Sequence, residues 1–217
     1  MSGNIAIGIQ DFSTIIQGNY FYIDKTPFIK EWWDCGDSAT LITRPRRFGK
    51  TLTMSMVEQF FSIDYAGRSD LFEHLAIWKE EKYRELQGTY PVISLSFARI
   101  KERDYEKTKQ KMCEVLRNIY IKFCYIKDSE KLTDADRAYY ERMLEENIKE
   151  TDATSSLYQL SDFLYRYYGK KVIILLDEYD TPMQEAFVDG YGDELVAFTR
   201  SLFNSTLRRI RHWNVEL

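Results

Sequence analysis

Gly49, Lys50 and Thr51 close a basic segment, LITRPRRFGKT at residues 41–51, and Asp177 and Glu178 close an apolar one, KVIILLDEYD at residues 171–180. A lysine and a hydroxyl directly after a glycine, at the mouth of a helix, suit a phosphate chain. Backbone N–H groups wrap the phosphates, the ammonium reaches the β and γ groups, and the hydroxyl takes a magnesium ion. Two carboxylates at the end of an apolar strand complete such chemistry: Asp177 holds magnesium through water, and Glu178 orients or deprotonates an attacking water. The expected phosphate-contacting set is Arg46, Arg47, Phe48, Gly49, Lys50 and Thr51. Thr51 and Asp177 are the expected magnesium residues, and Lys50 and Glu178 the catalytic pair.

The first glycine of the usual GxxxxGK[ST] loop is replaced by Arg44. A lone GKT would carry little weight, and Lys50 on a plain surface with 177–180 as a solvated acidic turn is the competing reading. The second motif outweighs it, because open α/β sheets gather their ligands at the carboxyl ends of strands. Arg44, Arg46 and Arg47 fit phosphate contact or ion pairing with loop acids better than nucleic-acid contact. Asp180 suits either the magnesium shell or a surface turn before Pro182. Arg200 is an arginine-finger candidate of low weight against a solvated helix face.

These residues need elements to hold them. Residues 39–43 read as a short strand entering the basic loop, and Leu52, Met56 and Phe60 mark the helix after it. Residues 91–97 form a second strand candidate. Three helices are expected over 104–168, the first with Met112, Val115, Leu116, Ile119 and Phe123 on one face and the last ending at Gly169. Val172 to Leu176 has the continuous apolar character of a strand buried on both faces of a parallel sheet. A last helix is expected over about 193–207. Near the N-terminus, Phe12, Ile15 and Ile16 suggest a short helix, residues 20–23 a turn or short strand, and Thr26-Pro27 the capped start of another helix.

The chain of 217 residues with 44% hydrophobic content suffices for one substantial core. A formal net charge of -4 provides no global attraction to nucleic acid or anionic membrane. Cys35, Cys113 and Cys124 fit neither a zinc pattern nor a disulfide framework, and His74 and His212 show no ligand spacing. No segment has the apolar length of a membrane span or the layout of a signal peptide, so a cytoplasmic location is expected. Glu80 and Lys82 have nuclease-like ExK spacing, but in a charged run that reads as a solvated helix face.

Four segments together resemble the AAA-ATPase-like family of bacteria and archaea, whose members often carry a C-terminal PD-(D/E)XK nuclease-like domain. They are FSTIIQGNYFYIDKTPFIKEW, LITRPRRFGKTLTMSMVEQFF, PVISLSF and LLDEYDTP, and the resemblance covers roughly residues 10–207. Arg44 in place of glycine is then a family trait. The resemblance implies an α/β, P-loop NTPase-type three-layer core with a parallel sheet and a helical insertion between the second strand and the Asp-Glu strand. It further implies ATP with Mg2+ as cofactors, a homo-oligomer as one partner, and nucleic acid as a partner of longer relatives.

In such a core a further strand lies between those of Lys50 and Asp177, and only RRIRHWNVEL remains after residue 207. The sequence therefore leads us to expect an incomplete sheet with later strands missing, weak stability and poor hydrolysis. Residues 1–207 read as a partial domain, and 208–217 as an atypical tail. One restored base before the tail, under suitable codons, yields KTNKTLERGI, similar to the family's continuation, so a frameshift is the expected origin. An uninterrupted natural frame at the locus would remove that idea. A non-catalytic nucleotide-binding fragment and a nucleic-acid module built on Arg44 to Arg47 are the alternative functions.

Overall fold

A computed structural model describes residues 4–5, 7–37, 39–43, 48–207 and 213–216, the side chains of 205–207 and 213–216 excepted. Its centre is β3 (Val172–Asp177), whose first five residues are all buried. β3 pairs in parallel with β2 (Val92–Ser96) on one side, from Val92↔Ile173 to Ser96↔Asp177. On the other side it pairs with β4 (Trp213–Glu216), from Val172↔Trp213 to Leu175↔Glu216. β1 (Ala39–Thr40) pairs with the far edge of β4, giving a parallel sheet of order β1-β4-β3-β2.

Successive strand residues face opposite sides, so β3 closes two cores at once. Val172, Ile174 and Leu176 pack with residues of α5 (Tyr105–Lys122), α6 (Asp134–Leu144), α7 (Glu150–Tyr168) and α9 (Gly192–Leu207). Ile173 and Leu175 pack instead with residues of α1 (Phe12–Gln17), α2 (Pro27–Cys35) and α3 (Lys50–Phe61), together with Tyr83 of the short α4 (Glu81–Arg84). The architecture is helix, sheet, helix.

Local chemistry sets the ends of these helices. Thr133 and Asp136 form a reciprocal capping box on α6, Asp104 caps α5, and Gly169 ends α7 in the left-handed conformation that glycine adopts without a Cβ clash. In the helical layer, Tyr140 donates to the Tyr120 carbonyl at 2.7 Å and Tyr120 to the Ser156 carbonyl at 2.8 Å. These bonds satisfy hydroxyls that burial would otherwise leave costly.

The structure corrects several expectations. The sheet does not lack a strand between those of Lys50 and Asp177: Trp213–Glu216 pairs there with both neighbours. A four-residue stretch with one apolar and one aromatic residue carries no periodicity of its own, and its strand character comes from the two edges that receive it. β1 covers only Ala39–Thr40, not residues 39–43. Residues 20–23 form no strand, since Tyr22 packs its ring against Phe12 at 5.5 Å instead of entering a ladder. Thr26 precedes α2 without a side-chain cap, because its hydroxyl bonds to Asp24 and accepts from the Ile77 N–H.

A helix that sequence reasoning missed, α8 (Thr181–Asp189), follows β3 directly. Its buried residues are Thr181, Pro182 and Ala186, while Phe187 and Val188 are exposed. Small residues inside and large ones outside invert the usual apolar stripe, so the helical period gave no signal.

Replacing Val215 with proline would remove a ladder donor from a strand paired on both sides. We expect it to lower stability by about 2 kcal/mol, read as a lower urea midpoint. An unchanged midpoint would mean that β4 does not hold the sheet together.

Candidate functional site

The alternation that closes the cores also aims the first functional carboxylate. Asp177 follows Ile173 and Leu175 on the β3 face that packs against the α3 layer. There the Thr51 side chain lies close enough to act on its carboxylate. Burial pushes the Asp177 pKa above the ordinary carboxylate value, and the charge of Glu178 adds to the rise. The Thr51 side chain and the Lys50 ammonium oppose the rise without cancelling it.

Glu178 has a φ of 50°, in the left-handed region that non-glycine residues rarely occupy. Such a conformation costs about 1 kcal/mol, and it turns the chain sharply out of β3. The turn is fastened to the start of α8: the Thr181 N–H donates to the Glu178 carbonyl, and the Thr181 hydroxyl to Glu178 Oε2, both at 3.1 Å. Asp180 stands at the α8 N-cap position, where its carboxylate accepts from Gln184 Nε2 at 2.7 Å.

Across from these acids stands the N-terminus of α3. Gly49, at φ 78°, is the residue before the helix, and Lys50 is its first residue. No acidic side chain occupies the first turn, and the acids that face the positive end of the helix macrodipole come from the end of β3 and the turn after it. The side of α3 facing the core is fixed by Met56, Val57, Phe60 and Phe61, all fully buried. The two motifs enclose a cavity of about 180 Å³ lined by Ile42, Thr43, Lys50, Asp177, Glu178 and Asp180, among others.

Of the residues singled out in the sequence, the structure thus brings Lys50, Thr51, Asp177, Glu178 and Asp180 together, with Gly49 adjacent and Phe48 exposed beside it. Arg44, Arg46 and Arg47 lie outside the described residues, as does His212. Arg200 is exposed on α9. Glu80 pairs with Lys30 and Lys82 with Asp34, each at 2.6 Å, so the ExK-spaced pair is directed to separate partners. Cys113 is buried, with its thiol pushed up to about 11 by burial, while Cys35 and Cys124 are exposed free thiols. Among the described residues, no cluster of His, Cys, Asp and Glu could hold a metal unaided.

Two neighbours of the site escaped sequence reasoning. Thr181 binds Glu178, and Lys25 places its Nζ 3.4 Å from the Phe48 carbonyl. Thr181 sits three residues beyond Glu178 and was legible as a turn residue. Lys25 is remote in sequence, and only its place in the YIDKTPF segment marked it.

A family profile described as predicted AAA-ATPase matches residues 6–214. A protein of Azotobacter chroococcum mcd 1, described as an uncharacterized protein in the vnfD 5' region, is 28% identical over 180 residues. The match covers 82% of this chain and 29% of that relative, so the chain spans under a third of the relative's length. No solved structure matches. No helix among the described residues is long and apolar enough to cross a membrane.

Asp177 titrates higher in the fold than in the unfolded chain. The folded state is therefore penalised for ionising it, a penalty absent below the ordinary value of 3.8 and fully present above the raised one. In chelator, Asp177→Asn keeps an acceptor for Thr51 and should raise the melting temperature at pH 7, with the gain vanishing below pH 3.8. A lower melting temperature at pH 7 would contradict this electrostatic account.

Proposed function

This chain belongs to the AAA-ATPase-like family of predicted AAA-ATPases, and we propose that it is a P-loop domain that binds ATP with magnesium and hydrolyses it. The observation that carries the reading is the placement of Lys50, Asp177, Glu178 and Asp180 on one cavity, with the Thr51 side chain close enough to Asp177 to act on its pKa. It joins the two motifs into one cavity in which cationic and carboxylate groups face each other.

The donor set fits the cofactors. A helix N-terminus with Lys50 and without acids favours a phosphate chain. Thr51 and Asp177 would hold magnesium, directly and through water, and a cation there offsets the burial that lifts the Asp177 pKa. When bound, magnesium neutralises charge building on the phosphate oxygens. In this reading Lys50 would contact the β and γ phosphates, with Arg46, Arg47, Phe48, Gly49 and Thr51 as the further phosphate-binding residues. Glu178 is the group that orients and deprotonates the attacking water. The bond from Thr181 to Glu178 Oε2 gives that carboxylate a defined resting orientation.

Trp213–Glu216 pairs at the place where a strand was expected to be missing, which takes away one ground for the alternative of a fragment that binds nucleotide without turnover. A homo-oligomer and a cytoplasmic setting go with the proposed reading.

Titration with a fluorescent ATP analogue in magnesium buffer, alongside phosphate release, tests the proposal. Lys50→Ala should weaken binding at least about tenfold, the loss of one charge-assisted contact. Glu178→Gln should retain binding while phosphate release falls about a hundredfold or more. Wild-type affinity in the Lys50 variant would sink the assignment. Unchanged turnover in the Glu178 variant would remove the role given to that carboxylate.

A further inference from the structure

Lys25 lies outside both motifs, yet its ammonium reaches the phosphate loop. Nζ donates to the Phe48 carbonyl at 3.4 Å, and a Cβ built on Gly49 would stand 2.6 Å from it. The half-buried lysine thus lies against the residue that immediately precedes Lys50. Gly49 needs to be glycine for its positive φ, and the flexible end of Lys25 lies in the space beside it.

The backbone that delivers this side chain is fastened on both sides. The Lys25 N–H donates to the Tyr22 hydroxyl at 3.3 Å, and that hydroxyl donates to Met56 Sδ on α3 at 3.3 Å. Burial pushes the Tyr22 pKa up to about 12, so the hydroxyl keeps its proton as a donor. On the other side, the Asp24 carboxylate accepts from the Thr26 N–H at 2.8 Å, the Thr26 hydroxyl at 2.6 Å and the Ala76 N–H at 2.7 Å. The Ile77 N–H donates to Thr26 Oγ1 at 3.1 Å. Asp24 and Thr26 therefore bind residue 25 to a segment some fifty residues away, and Tyr22 binds it to the helix of the phosphate loop.

Electrostatics gives this placement a purpose. A helix N-terminus favours anions and disfavours cations, yet the start of α3 has Lys50 in its first turn, no acid there, and Lys25 against its cap. The acids Asp177 and Glu178 face this end from the β3 side, and the two lysines beside the helix start suit it to an incoming polyanion. We propose that Lys25 is a phosphate-binding residue of this site, adding a second lysine from outside the phosphate loop to the β and γ phosphates of the nucleotide. This rests on the nucleotide reading above. It adds a determinant that favours triphosphates over monophosphates.

Competition by ATP, ADP and AMP against a fluorescent ATP analogue, in wild type, Lys25→Gln, Lys25→Arg and Lys50→Ala, tests it. Lys25→Gln should weaken ATP about tenfold more than it weakens AMP, as expected for a lost charge-assisted contact. Lys25→Arg should recover most of the ATP affinity. Equal losses for ATP and AMP, or a lowered nucleotide-free melting temperature with the ATP-to-AMP ratio intact, would make Lys25 a loop clamp and overturn the inference. ATP affinity lost in Lys50→Ala but untouched in Lys25→Gln would overturn it while leaving the nucleotide site standing. A wild-type protein that binds no nucleotide would overturn both.

Discussion

The burial of β3 on both faces is the constraint from which the remainder of this structure follows. Five consecutive apolar residues, each contributing about 1.5–3 kcal/mol when removed from water, have no solvent face to offer. They must be covered by helices on both sides and by strands on both edges. Because side chains alternate, the residues that fill the aromatic-rich α1–α3 layer share a face with Asp177. The register that completes the core therefore also sets the carboxylate beside Thr51.

The site concentrates locally unfavourable features. A carboxylate is half-buried and titrates high, a glutamate sits at positive φ, and cations gather at the positive end of a helix. None of these would persist in isolation, and each is over-determined by its surroundings. Asp177 ends the most buried strand, Glu178 is fastened to α8 through Thr181, and α3 is held from behind where its Phe61 packs on the indoles of Trp32 and Trp33 and its Phe60 on Phe72. Strain located at one cavity and stability located in two cores is the distribution expected of a working site.

The N-terminal segment has a role that its irregular backbone hides. Residues 20–26 form no regular element, but Asp24 and Thr26 bond to backbone N–H groups of a second irregular stretch around residue 76. Such bonds replace the ladder that a strand would have supplied. They give the segment fixed geometry beside Phe48 and Gly49.

Much of this protein was legible in its residues. Val172 to Leu176 announces a doubly buried strand because no other placement hides five apolar side chains in a row, and Leu52, Met56 and Phe60 announce the helix that follows Gly49 by their spacing. The helices over 105–168 follow from a 3.6-residue period, which is a local property. Tertiary structure alone decided three other matters. Trp213–Glu216 became a strand because two edges were there to receive it. Pairing energy of that kind is non-local and leaves no periodic trace in four residues. α8 buried its small side chains and exposed its large ones, so no stripe marked it. Finally, the meeting of Thr51 with Asp177, and of Lys25 with Gly49, depends on strand register and on hydrogen bonds between distant segments. Sequence spacing can nominate such partners, but only the packed chain brings them within reach.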